Sequence, residues 1–276
     1  GYTQKLARLQ DAVPPVPFEV VRAVLDAELS PEARRRIAFI EPTPVAAASV
    51  AQVHRARLDT GEVVALKVQR PEAEAQIERD LAILGILSRV VDRVPSMRLL
   101  SLPGSVERFA HALRGQLDFQ QEADNNRRFA KNFAGTTDVG VPALFPELCS
   151  RRVLGMEFVE GVKATDAAGV QGDRKKLARI GGEAILQMVF LDGFVHADLH
   201  PGNILLTGDN RVVLIDLGMV TEIPADMQRP WIETFLALSQ KDGETVARLF
   251  YELAPSVGRT EYEEFEHDVM EQLGTI

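Results

Sequence analysis

Cysteine is almost missing from this sequence: Cys149 is the one thiol in 276 residues. No intramolecular disulfide can form, no disulfide partner is expected, and a reducing compartment is favoured over an oxidising one. Long apolar runs are missing too. A membrane-crossing helix needs roughly 20 apolar residues, whereas the most apolar stretch, Ala184 to Val195, is interrupted by Gln187 and by Asp192-Gly193. It reads as a buried helix ending on a glycine turn. Positive charge is also in short supply. Lys and Arg number 31 against 40 Asp and Glu, a formal net charge of −9, which argues against nucleic acid as a partner because no broad basic surface is available to neutralise phosphates. The one dense basic run, Arg34-Arg35-Arg36, reads as a solvated helix face. No signal-peptide pattern is visible, and the chain opens in mid-pattern at Gly1-Tyr2-Thr3, so a piece of something longer is expected.

What is present is an ordinary globular composition, 46% apolar and 26% charged, with enough length for a large core. One constellation carries chemistry. His196-Ala197-Asp198-Leu199-His200-Pro201-Gly202-Asn203 is followed by Asp216-Leu217-Gly218, so Asp198 precedes Asn203 by five residues and Asp216 by 18. That spacing matches the catalytic and metal loops of protein kinases. Transfer of a γ-phosphoryl group needs a carboxylate, here Asp198, to orient the attacking oxygen and take its proton. It also needs a neutral oxygen ligand, Asn203, and an anionic one, Asp216, to hold Mg against the phosphates of ATP or ADP. Ile204 to Leu206 and Val212 to Ile215 read as two short strands around a turn at Gly208-Asp209-Asn210. Two blander readings stand beside this one: Asp and Asn in unrelated turns, or a transition-metal site made by His196, Asp198 and His200.

Upstream, residues 1 to 43 read as helical with breaks. A helix before Asp11 stops at Pro14-Pro15-Val16-Pro17, Phe18 to Leu29 resumes with Val20, Val21, Val24 and Leu25 on one face, and Ser30-Pro31-Glu32 caps the next short helix. Strands follow from Val50 to Leu58 and Val63 to Val68 around a turn at Asp59-Thr60-Gly61. Val64-Ala65-Leu66-Lys67 matches the kinase strand whose Lys holds the α and β phosphates. The loop before this hairpin, Ala46, Ala47, Ala48 and Ser49, carries alanines where kinases carry glycines. Backbone amides can still approach phosphates there, but the alanine Cβ atoms narrow the approach, so altered nucleotide preference or geometry is expected.

Lys67 needs an anionic partner on a following helix. Two helices, roughly Glu72 to Val94 and Pro103 to Phe133, offer many acids; Glu122, mid-way along the second and flanked by Phe119, Phe129 and Phe133, is the choice over Glu74 and Glu78. From Val141-Pro142 the chain reads as strand segments to Val159. Met156-Glu157-Phe158-Val159-Glu160-Gly161 has the position of a kinase hinge, where the backbone of Glu157 and Val159 would pair with adenine. A helix from Asp173 to Asp192 follows, and three more lie near Met227 to Ser239, Gly243 to Leu253 and Tyr262 to Leu273. No Ala-Pro-Glu motif follows Gly218, so the usual segment for docking protein substrates is not expected.

The alanine-rich loop continuing into Val50-Ala51-Gln52-Val53-His54, together with Leu9-Gln10-Asp11, Val13-Pro14-Pro15, Val64 to Pro71, Leu117 to Asn125 and His196 to Gly218, resembles the atypical kinases of the UbiB family, also called the ABC1 or ADCK family. The resemblance implies that Lys67 and Glu122 form the ion pair, that Asp198 is the catalytic Asp, and that Asn203 and Asp216 bind the metal. It also implies that the alanine-rich loop covers the nucleotide, with a preference for ADP and suppression of ordinary kinase activity. Two departures are visible. The family's Lys-x-Gly-Gln motif has no counterpart, and its Glu-x-Asp motif falls at Gln116-Leu117-Asp118, where the Glu is Gln. Members serve ubiquinone or other isoprenoid-lipid metabolism, which implies a prenyl lipid or quinone precursor and a membrane surface as partners, and a cytoplasmic location peripheral to the membrane.

The expected fold is α+β, a two-lobed protein-kinase-like architecture: an N-terminal helical extension over 1–43, an N-lobe with a helical insertion over 44–160, and a C-lobe over 161–276. The expected activity is ATP-dependent phosphotransfer or hydrolysis. Two alternatives remain, a small-molecule phosphotransferase of the aminoglycoside or choline kinase type, and a nucleotide-gated binding module without turnover.

Overall fold

The computed structural model describes residues 14–93, 102–254 and 261–274. The helix expected before Asp11, the family-pattern residues Leu9-Gln10-Asp11 and Val13, and the end of the helix expected from Glu72 to Val94 lie outside the described residues. The chain divides into two compact units, one running to Gly181 and including Ala197–Val220, the other made of Gly182–His196 and Thr221 onward.

The first unit is built on an antiparallel sheet. Helix α1 (Phe18–Glu28) turns Val21, Val24 and Leu25 inward, the i, i+3, i+4 spacing of an amphipathic helix. Helix α2 (Pro31–Arg36) starts as the sequence indicates, with the Ser30 hydroxyl accepting the Ala33 N–H at 3.1 Å and Pro31 at the first turn. Strand β1 (Ile37–Ile40) follows directly. This corrects the helical reading of 1–43: Ile37 and Ile40 are buried while Ala38 and Phe39 are exposed, and the pairing of β1 with a neighbouring strand overrides the helical tendency of the preceding arginines. Strand β2 (Ala46–Ala47) is short, and β3 (Ala51–Leu58) and β4 (Val63–Gln69) form the central hairpin, closed by Gly61 at φ +94°.

The insertion holds α3 (Ala73–Val91), α4 (Leu102–Gly115) and α5 (Phe119–Asn132). The single helix expected from Pro103 to Phe133 is therefore two, with Glu122 in the first turn of the second. Strand β5 (Val139–Gly140) leads through a 3-10 turn at Pro146–Leu148 to β6 (Val153–Glu157), and the sheet order is β1-β3-β4-β6 with β2 on β3. One face packs on α1 through Val21, Val24, Leu25, Ala56, Leu58, Val64, Leu66 and Val153. The other carries Ala51, Ala65, Leu154 and Met156 against Phe119 and Ala123 of α5. Burying each such large side chain contributes about 2 kcal/mol. Strand β7 (Val162–Lys163) precedes α6 (Arg174–Leu186), which continues as a π-helical turn at Gln187–Asp192 and ends on Gly193 at φ +57°, the expected glycine turn.

Strand β8 (Phe194–His196) comes before the catalytic-loop motif, and β9 (Ile204–Leu206) and β10 (Val212–Leu214) form the expected hairpin behind it, turning at Asn210 with φ +65°. These two join β5 and β7 in a second sheet, order β5-β10-β9-β7. Strand β11 (Val220–Glu222) pairs with β8. In the second unit, helices α7 (Ala225–Ser239), α8 (Gly243–Leu253) and α9 (Tyr262–Gly274) follow the expected ranges closely. Tyr251 of α8 meets Tyr262 and Phe265 of α9 edge-on and tilted, at 5.1 and 6.2 Å between ring centres.

Candidate active site

Lys67 lies on β4 opposite Val53 of β3 and Leu154 of β6. Its Nζ donates to both carboxylate oxygens of Glu122 at 2.8 Å and to Asp216 Oδ1 at 2.9 Å. The Phe119 ring lies beneath the same ammonium, 5.2 Å away. The Lys67 and Glu122 side chains are 12% and 5% exposed, whereas Asp216 is half exposed at 50%. Of the many acids between Lys67 and Val141, Glu122 is thus the one that reaches the lysine; Glu78 instead pairs with Arg114 at 2.7 Å, and Glu74 with Arg151 at 3.4 Å.

Helix α5 is what positions this arrangement. Its N-cap is Asp118, whose carboxylate accepts the Gln120 N–H at 3.0 Å, and Phe119 and Ala123 seat the first turn on the sheet. Phe129 and Phe133 stack further along at 6.2 Å. The helix also grips the turn that carries Asp216. Glu122 accepts the Leu217 N–H, and Asn125 Nδ2 donates to Leu217 O at 2.8 Å, so the backbone of the buried Leu217 is held on both sides. Asp216 takes a left-handed conformation, φ +59°, an uncommon state for a residue with a Cβ, and one that clusters at functional sites. Gln116, where the family pattern has Glu, lies beside the same turn: a Cβ built on Gly218 would sit 3.6 Å from Glu122 Oε2 and 3.8 Å from Gln116 Cγ.

One ammonium shared by two carboxylates leaves this cluster net negative. Burial on its own would lower the Lys67 ammonium, but Glu122 and Asp216 outweigh it and hold it above the ordinary lysine range. Burial raises the Glu122 carboxyl, Lys67 opposes the rise, and Asp216 adds to it, leaving Glu122 above the ordinary carboxylate range.

The remaining residues of the pattern sit on the loop between β8 and β9. Asn203 is buried and ties the loop together: Nδ2 donates to Asp198 O at 3.2 Å, its N–H to His200 O at 2.9 Å, and its carbonyl accepts the Ile215 N–H at 2.9 Å. Asp198 is exposed on the same loop. The amide orientation that donates to Asp198 O directs the Asn203 Oδ1 elsewhere, leaving a neutral oxygen for a hard cation. The transition-metal alternative loses support here. Among the described residues no group of three or more His, Cys, Asp and Glu side chains could hold a metal ion, and His200 Nδ1 accepts the Gly202 N–H at 3.0 Å.

The alanine-rich segment is partly a strand. Ala46 and Ala47 pair with Val53 and Gln52, and the Ala48 N–H donates to Ala51 O at 2.8 Å, which turns the chain at Ala48 to Val50. None of Ala46, Ala47, Ala48 or Ser49 has positive φ. At the hinge position the Glu157 N–H donates to Ala143 O at 2.7 Å and its carboxylate accepts the Ala143 N–H at 3.1 Å, while Val159 follows outside the strand. Asp118, Asn125, Gln52 and His54 are the residues whose parts the sequence reading did not assign. Gln52 and His54 are buried; Gln52 Nε2 donates to His54 Nε2 at 2.7 Å, and this tautomer leaves His54 Nδ1–H to donate to Glu41 O at 2.8 Å. Gln52 Oε1 also accepts the Val16 N–H at 2.9 Å. The pattern Asp118-x-x-Gln121, a cap residue with Gln three positions on, was the available signal for the start of α5.

A family model described as the ABC1 atypical kinase-like domain matches residues 8–250. The chain belongs to this ABC1 atypical kinase-like family. It is 35% identical to a probable protein kinase UbiB of Aeromonas hydrophila over 99% of this chain and 52% of that protein. It is also 35% identical to ACTIVITY OF BC1 COMPLEX KINASE 3, a chloroplastic protein of Arabidopsis thaliana, over 91% of this chain and 36% of that protein. The chain therefore spans about a third to a half of the length of these curated relatives. A solved structure of an Rv3197–erythromycin complex from Mycobacterium tuberculosis has a TM-score of 0.72 and 27% identity, covering 100% of this chain and 70% of that one. The fold is α+β and kinase-like. No helix among the described residues is long and apolar enough to cross a membrane.

Proposed function

We propose that this chain binds a Mg-complexed adenine nucleotide and uses ATP for phosphoryl transfer or hydrolysis, in support of isoprenoid quinone or other lipid metabolism at a membrane surface. The observation that carries the reading is the position of the Lys67 ammonium, within 2.9 Å of both Glu122 and Asp216. Glu122 orients Lys67 toward the α and β phosphates, and Ala46 to Ser49 lie over them. Glu157 and Val159 offer the hinge backbone to the base. Asn203 and Asp216 would hold Mg, a hard cation suited to this neutral and anionic oxygen pair, which would neutralise charge on the phosphates. Asp198 orients the attacking hydroxyl or water and takes its proton. Membership of the ABC1 family supports the lipid side of the reading.

A second reading, a nucleotide-gated binding module without turnover, draws on the same contact. Lys67 is held on Asp216, a proposed metal ligand, and that contact must loosen before the ammonium can serve phosphates. Titration of Mg·ADP and Mg·ATP into the wild-type chain and into Lys67→Ala tests the nucleotide site common to both readings. Saturable binding that requires Mg and is lost in the variant is expected; equal binding by the variant contradicts the site.

A further inference from the structure

Strand β4 turns Val64, Leu66 and Val68 into the core beneath α1, so Lys67 and Gln69, two positions apart, share the opposite face. Gln69 is 4% exposed, and neither the phosphates nor the metal ask for it. A buried amide needs partners for both its donor and its acceptor. Gln69 Nε2 donates to Leu117 O at 2.7 Å, and its Oε1 accepts the Arg152 Nε–H at 3.2 Å. Only one orientation of the amide serves both partners. The side chain is therefore fixed end to end.

Leu117 is itself buried, in the turn between α4 and α5 and just before the Asp118 cap. Two further bonds frame the same place: the Phe119 N–H donates to Arg151 O at 3.0 Å, and the Gln69 N–H to Arg152 O at 2.9 Å. The start of α5 is thus tied to β4 by one side chain and to the turn before β6 by one backbone bond. Glu122 follows within the first turn and meets Lys67 at 2.8 Å. A slip of α5 along its axis by one residue's rise, about 1.5 Å, would carry that carboxylate out of hydrogen-bond reach. The ion pair is a poor anchor on its own, because burying both charges offsets much of their attraction. A neutral amide bonded to a carbonyl loses less on burial, so the bond from Gln69 sets the register that the ion pair uses.

Resting on the nucleotide reading, we propose that Gln69 is a positioning residue for the phosphate and metal site, which it serves by latching the start of α5 so that Glu122 stands against Lys67. The effect reaches further than one pair. Glu122 and Asn125 of the same helix hold the backbone of Leu217, so the latch also sets the turn that carries Asp216. One strand thereby supplies both the ammonium and the fixture that aims its two carboxylates.

The test separates positioning from a general loss of stability. Gln69→Leu removes both side-chain bonds at similar size, and Val24→Ala, in the core on the far face of the sheet, is the control that loses stability without touching α5. Thermal melts confirm that each is folded. The first readout needs no nucleotide: the coupling between Lys67→Met and Glu122→Gln, measured in urea, falls to about half or less in the Gln69→Leu background and keeps its size in the Val24→Ala background. The second is titration of Mg·ADP and Mg·ATP, which Gln69→Leu weakens about tenfold while raising the Mg concentration needed for half-saturation; Val24→Ala stays within about twofold of wild type on both counts. Unchanged coupling in Gln69→Leu overturns the latch. Reduced coupling with nucleotide binding and Mg demand equal to those of Val24→Ala overturns its service to the site while the nucleotide reading stands. A wild-type chain that binds neither nucleotide overturns the nucleotide reading, and with it that service, and the coupling still decides the latch.

Discussion

At the scale of single residues, Lys67, Glu122 and Asp216 set one another's electrostatics. Removing Lys67 strands a buried carboxylate, so Lys67→Met lowers stability by about 3 kcal/mol, and adding Glu122→Gln restores part of the loss because the two changes are coupled. A double-mutant cycle in urea measures this, and strict additivity would contradict the ion pair. The Glu122 shift also has a sign. Its folded pKa is raised, by burial first, so the folded state holds the proton more tightly than the unfolded chain, whose Glu titrates at about 4.3. Stability from this group is fully present below the unfolded value and is lost as pH rises through the folded one. The melting temperature of wild type relative to Glu122→Gln should therefore fall across that window; a flat difference would contradict it. Cys149 is the complementary case. Burial pushes its thiol up, and its Sγ donates to Phe145 O at 3.3 Å, so alkylation at pH 8 should be much slower in the native chain than in urea.

At the scale of elements, α5 does the positioning, and its cap is where it can be weakened from a distance. Asp118→Ala removes the Gln120 N–H acceptor and costs about 1 kcal/mol, while Asn126, which donates to Pro142 O at 3.0 Å, still anchors the middle of the helix. Denaturant melts check the size of the loss. Strand β6 is sensitive for a different reason: a Cβ on Gly155 would clash with the Cβ of buried Leu148, so Gly155→Ala costs about 2 kcal/mol or more, read as a drop of several degrees in melting temperature. Elements with strong local signals were legible in the sequence. Ser30-Pro31 announced α2, alternation announced β3 and β4, and the helix read at Gly243 to Leu253 is α8 over the same residues. What was not legible depends on partners distant in sequence. Ile37–Ile40 follows three arginines that favour helix and becomes a strand only because β3 offers it a pairing edge. The break at Gly115 to Asp118 was masked by helical periodicity on both sides.

At the scale of the whole molecule, the kinase-like pattern was readable because its residues stand at characteristic spacings, and Lys67, Glu122 and Asp216 meet within the first unit. The contact of Lys67 with Asp216 was not readable, since it depends on a left-handed turn gripped by Glu122 and Asn125 from another element. The decisive measurement is Mg-dependent phosphate release from ATP by the wild-type chain and by Asp198→Asn, with and without anionic liposomes carrying a polyprenyl phenol. The account predicts release by the wild type, a loss of about a hundredfold or more in the variant, and nucleotide binding nearly unchanged. Equal release by the two proteins would contradict it.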